Sequence, residues 1–211
     1  MGTDITVFAN HAIDFSSNNL QHIAENIKYE LNNSYFVNQA EIRPLIRSYY
    51  DWQGYDDIQS KWHEKIDNWT GNDWNYVIDC DLSSFSEICY HGPFYLRMSF
   101  TDKHIKFHDP GYRYHTFFGL EKKDRDEWRK YYYQYISLFG GDYALYLPDQ
   151  GEVAWEFTEK IYDCNLHLEK IIEGLIKKYG PNKIGINEFS FDENVFIDPP
   201  YYFIDRFDDL K

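Results

Sequence analysis

Hydrophobic and polar residues alternate most regularly across residues 93–120, and this stretch predicts a three-strand antiparallel meander. Phe94, Leu96, Met98 and Phe100 share one face of the first run, against Tyr95, Arg97 and Ser99. A short connection, Thr101-Asp102-Lys103, leads to a second run with Ile105 and Phe107 on one side and His104, Lys106 and His108 on the other. Asp109-Pro110-Gly111 supplies the next turn. Beyond it Tyr112, Tyr114, Thr116, Phe118 and Leu120 alternate with Arg113, His115 and Phe117. A sheet built this way has one apolar face for helices to cover.

Helical spacing takes over elsewhere. Leu20, Ile23, Ala24, Ile27 and Leu31 predict an amphipathic helix over 18–32. Trp128, Tyr131, Tyr132, Tyr135, Ile136 and Phe139 predict another over 122–139, with Asp124, Asp126 and Glu127 in its first turns and Gly140-Gly141 as its stop. Leu168, Ile171, Ile172, Leu175 and Ile176 mark a third over 166–179, and Val153, Phe157 and Ile161 a shorter one before it. Two further helices are expected around Ile42–Tyr50 and Ile58–Trp69. Strands are expected at 4–9, 74–80 and 142–147, and a short edge strand at 201–206 after Pro199-Pro200; residues 81–92 give a mixed signal. No Gly/Ser linker and no repeat divides the chain, so residues 1–211 are expected to form a single α+β domain. Its mainly antiparallel sheet would have about five to seven strands with the meander at the centre, and its helices would pack mostly on one face.

Composition narrows the function classes. Hydrophobic residues are 43% of the chain, enough to bury a core. Aromatics are 20%, and Tyr supplies 20 of them, a residue type suited to boundary layers and to binding surfaces. The formal net charge is −14. Such a chain repels phosphate backbones and anionic membranes and attracts basic proteins, so neither nucleic acid nor membrane is an expected partner. The three cysteines, Cys80, Cys89 and Cys164, have no framework spacing, which fits a reducing compartment. There is no signal-peptide pattern and no 18-residue apolar stretch, so a soluble cytoplasmic protein is expected.

No nucleotide-binding glycine motif, nucleophile elbow, H-E-x-x-H or C-x-x-C is present, and no cofactor is expected. Four weaker constellations remain. His104 and His108 share a strand face about 13 Å apart, too far for one metal ion, and a solvated His-Lys-His face is the simpler reading. Asp79 and Asp81 would point the same way about 7 Å apart, as a cation or acid–base pair or as loop caps. Cys89 and His91, two residues apart, pair a thiol with an imidazole, although a lone Cys is more often a small buried hydrophobe. Tyr201, Tyr202, Asp205, Asp208 and Asp209 set aromatic anchors among carboxylates, or else a strand docked on the sheet edge.

In size, acidity and aromatic texture the whole chain resembles the immunity proteins of bacterial toxin systems; no motif carries the resemblance. It implies a protein that neutralises a basic toxin or enzyme by covering its active site. On that reading Asp205, Asp208 and Asp209, with Asp79 and Asp81, steer the partner, while Tyr201 and Tyr202 anchor it. Two alternatives stand beside it. One is an enzyme of unrecognised type with a site near Cys80, Cys89 and His91. The other is an accessory or scaffold subunit held by an exposed aromatic patch. The oligomeric state is open.

Overall fold

A computed structural model describes residues 5–16, 19–34, 73–79, 85–92, 96–108, 122–182, 185–186 and 202–211. Seven strands form one sheet: β1 (Ile5–Ala9), β2 (Asn75–Asp79), β3 (Glu87–His91), β4 (Arg97–Phe100), β5 (Ile105–His108), β6 (Ala144–Pro148) and β7 (Phe203–Asp205). Their spatial order is β2-β3-β4-β5-β1-β6-β7, and every neighbouring pair is antiparallel. The expected α+β class with an antiparallel sheet is what the chain adopts.

The β4–β5 hairpin forms where the alternation placed it. Thr101 closes it twice, by its N–H donating to the His104 carbonyl and by its hydroxyl accepting the N–H groups of Lys103 and His104. The third predicted run of the meander, 112–120, lies outside the described residues, as do the helices expected at 42–50 and 58–69. The mixed stretch resolves into β3. Its alternation of Ile88 and Tyr90 inward against Glu87, Cys89 and His91 is that of a strand with one apolar face.

Register lines the sheet with rows of like character. Ile78, Ile88, Phe100, Ile105, Ala9 and Ala144 lie side by side across six strands, and Tyr76, Tyr90, Met98, Phe107, Val7, Tyr146 and Phe203 form the next row of the same face. Helices α1 (Leu20–Asn33) and α2 (Lys122–Leu138) cover this face with the residues their spacing predicted. Asn19 caps α1 by accepting the His22 N–H. Asn32, near the other end of α1, holds the start of β2, taking the Trp74 N–H at 2.6 Å.

A second layer covers the opposite face along β1 and β6. Phe8, Leu145 and Leu147 point there and meet Val153, Phe157, Ile161, Leu168, Ile171 and Leu175. These come from a π-helical segment (Ala154–Thr158), from α3 (Glu159–Cys164) that continues it, and from α4 (Leu168–Tyr179). The one-sided helix layer expected from the meander therefore describes α1 and α2; the all-buried runs of β1 and β6 signal the second.

Gly140, at φ 75°, ends α2, and the Gly141 N–H returns to the Ile136 carbonyl at 2.9 Å. A Cβ on Gly141 would lie 2.1 Å from the Asn10 carbonyl oxygen and 2.7 Å from Ile136 Cγ2. Gly141→Ala should thus lower the free energy of unfolding by about 1–3 kcal/mol, read from a denaturant titration. A change within the error of that titration would mean that the loop carrying Asn10 yields without strain.

Candidate functional site

Of the C-terminal carboxylates singled out in the sequence, Asp205 and Asp209 turn toward α2, and Asp205 is buried. Asp205 is 3% exposed and Arg129 of α2 is 1% exposed. Arg129 Nε and Nη2 donate to the two oxygens of Asp205 at 2.6 and 3.0 Å. Nη1 and Nη2 also donate to Asp209 at 3.0 and 2.7 Å, and Nη1 reaches Asp126 at 3.0 Å. Burial opposes the charged guanidinium, but the hydrogen bonds to Asp205 and Asp209 outweigh it and hold its pKa above the ordinary arginine value. The bonds from Arg129 also hold the Asp209 carboxyl below the usual range. Tyr202 is likewise interior, its hydroxyl donating to the Gly180 carbonyl at 2.6 Å. Phe207 is fully buried at a φ of 56°, with its N–H on Asp205. This is an edge strand and its plug, clamped to α2 by one buried cation. Asp208 faces outward, paired with Lys211. Asp81 and Tyr201 lie outside the described residues, and Asp79 is placed only by its backbone pairing with Glu87.

Cys89 and His91 share the polar face of β3. They lie about 7 Å apart by strand rise, beyond hydrogen-bond reach. The Cys89 thiol accepts a hydrogen bond from Ser99 Oγ at 3.4 Å. Burial, then the Arg97 charge opposite, lowers the His91 pKa, which works against an imidazolium that could activate a thiol. Cys80 lies outside the described residues. His104 departs from the solvated face expected of it: it is 4% exposed, edge-on to Phe8 at 5.4 Å, with Nδ1 3.3 Å from the Thr101 hydroxyl. Among the described residues no group of three His, Cys, Asp or Glu side chains can hold a metal ion. No helix among them is long and apolar enough to cross a membrane.

An exposed aromatic residue among acidic ones also occurs on the π-helical segment. Its wide turn is closed by the Glu159 N–H donating to the Ala154 carbonyl. Val153, Ala154, Phe157, Thr158 and Ile161 all face inward. The Thr158 hydroxyl bonds the Pro148 carbonyl at 3.2 Å, and Phe157 fills the space over Gly174, where a Cβ would come within 2.8 Å of its ring. Trp155 is left pointing out, 69% exposed. Glu152 and Glu159 stand three before it and four after, the spacing of neighbours on a helix surface. Residues 149–163 hold five Asp and Glu against Lys160 alone. From α4, Lys178 Nζ reaches Glu152 at 2.6 Å and Glu156 as well, and these two bonds hold its pKa above the ordinary lysine value.

The sequence carried a signal for this site. Trp155 falls off the stripe of Val153, Phe157 and Ile161, among glutamates, where a helix expected to bury its aromatics has no reason to put one. No protein family, curated protein or solved structure matches the chain.

Proposed function

We propose that this protein binds and neutralises a basic protein, as an immunity-type inhibitor of a toxin or enzyme does, and that the face around Trp155 is what it binds with. The observation that carries the reading is a tryptophan 69% exposed on a π-helical turn, with Glu152 three positions before it and Glu159 four after. Scattered apolar side chains on a surface are ordinary. A tryptophan is the costliest of them to leave in water, and it is the side chain most enriched among the residues that dominate binding energy. Carboxylates around it select a cationic partner and raise the encounter rate, and the −14 charge of the chain extends that attraction over a longer range. Packing on the inward side holds the turn rigid, so little order is lost when a partner docks.

The test is capture from the cells that encode the protein, with wild type, Trp155→Ala and Glu152→Lys run in parallel at low salt. A basic protein bound in equal amounts by the wild type, released by salt and lost with both variants, is the expected result. Retention of the same protein by Trp155→Ala would remove this face from the reading. Trp155→Ala should also leave the unfolding free energy within about 0.5 kcal/mol of wild type, because the side chain it removes is largely solvated.

A further inference from the structure

We infer that the outer edge of β2 pairs with the same edge of a second copy of this chain, antiparallel about a twofold axis at Val77, so that one sheet runs through both copies. The inference goes beyond the binding reading above and does not depend on it.

The two ends of the sheet are built differently. A sheet edge invites pairing with any strand it meets unless it is blunted. At one end β7 is three residues long and turns the charge of Asp205 inward, and both features discourage pairing. At the other end β2 is five residues long and pairs without a break along β3. Its sequence, Asn75-Tyr76-Val77-Ile78-Asp79, contains no Lys and no Pro, and its central residue, Val77, is 61% exposed. Among the described residues no strand lies beyond it.

This edge is complementary to itself. Pairing Val77 with Val77 of the copy sets Tyr76 opposite Ile78 and Asn75 opposite Asp79, so the register matches no charge with its like. Helix α1 obeys the same symmetry. The Tyr90 hydroxyl of β3 donates to the Ala24 carbonyl at 2.9 Å, which sets α1 over β3 and leaves one flank of it toward the edge. Gln21, Glu25, Lys28 and Asn32 form that flank. Gln21 donates to the Tyr76 hydroxyl, which donates to Glu25; Lys28 Nζ stands 6.0 Å from the centre of the Tyr76 ring; Asn32 holds the N–H and the carbonyl of Trp74. Thus α1 runs antiparallel to β2, and its middle, between Glu25 and Lys28, is level with the middle of the strand. A twofold axis at Val77 therefore lays α1 antiparallel to its copy, with Glu25 opposite Lys28 and Gln21 opposite Asn32 on both sides of the axis. A foreign strand would satisfy the backbone alone, whereas a second copy also supplies the complement of each flank residue. The helices that carry Trp155 cover β1 and β6, away from β2, so both binding faces stay open in the dimer.

The experiment is sedimentation velocity on the full-length protein. The contact is smaller than a standard interface of roughly 20–30 residues a side, so a reversible dimer with a Kd on the order of 10 µM is expected. Val77→Lys, Glu25→Lys and Lys28→Glu should each weaken association at least about tenfold while far-UV circular dichroism stays that of wild type. An equal mixture of Glu25→Lys and Lys28→Glu should recover the dimer, because one then presents two cations and the other two carboxylates. Wild type that stays monomeric up to about 200 µM would overturn the inference. Val77→Lys associating like wild type would place the contact off this edge and overturn it as well. A mixture no more dimeric than its two components would overturn the twofold register.

Discussion

Arg129→Met loses about 3–5 kcal/mol of unfolding free energy, or roughly 10 °C in Tm for a chain of this size. The loss is large because of what is left behind. Asp205 is 3% exposed, and its two oxygens receive Arg129 and the Phe207 N–H. Without the guanidinium a carboxylate remains in the interior with its charge uncompensated. Adding Asp205→Asn removes the stranded charge but keeps an oxygen for the Phe207 N–H, and should restore much of the loss. Chemical denaturation of the three proteins measures all of this. An Arg129→Met protein within about 0.5 kcal/mol of wild type would show that the clamp contributes nothing net.

The second large effect is acid lability that begins well above the carboxylate range. Burial pushes the His104 pKa down to about 3, helped by His11, Lys106, Lys103 and His167 around it. Burial also lowers the His11 pKa, against the contrary pull of its bond to the Thr101 carbonyl and of Asp102. That imidazole is committed to one neutral form: Nδ1 accepts the Ile13 N–H and Nε2 donates to the Thr101 carbonyl. A histidine with a folded pKa below its unfolded value of about 6.5 takes up its proton on unfolding. Stability is then complete above about pH 6.5 and falls with acidification by up to about 1.4 kcal/mol per pH unit for His104. Between pH 7 and pH 5 this one residue costs about 2 kcal/mol. His104→Phe removes that dependence, and its stability should change correspondingly less over the same interval. Identical pH profiles for the two proteins would mean that His104 charges freely in the fold. Asp209 acts in a separate window, because its lowered pKa gives a contribution that is intact at pH 5 and fades only below about pH 4.

Local periodicity made most of the described elements legible. The apolar stripes placed α1, α2 and α4 within two residues of their observed ends, and turn chemistry placed the hairpin at Thr101–His104. What stayed hidden depends on distant contacts. Nothing within the tail distinguishes an exposed Asp205 from one opposite a buried arginine, since the distinction is made by Arg129, seventy-six positions earlier. His104 likewise reads as a polar strand residue until Phe8 closes over it. The π turn left a readable trace in Trp155, but a trace interpretable only once the inward face of that helix is known. In the tail, Asp205, Asp209, Tyr202 and Phe207 are engaged in holding it down against the rest of the fold.

The place of β1 in the sheet has a consequence for biosynthesis. Val7 pairs with Phe107 on one side and Tyr146 on the other, so the strand is made long before either neighbour exists. At roughly 5–20 residues per second, the nascent chain carries Ile5–Ala9 for on the order of ten seconds before both flanks can close. All five residues are buried in the finished protein, on two faces and both edges. During that interval the segment is a short apolar strand open to any other edge, and it is where a chaperone bound to the growing chain would do most to keep it from aggregating.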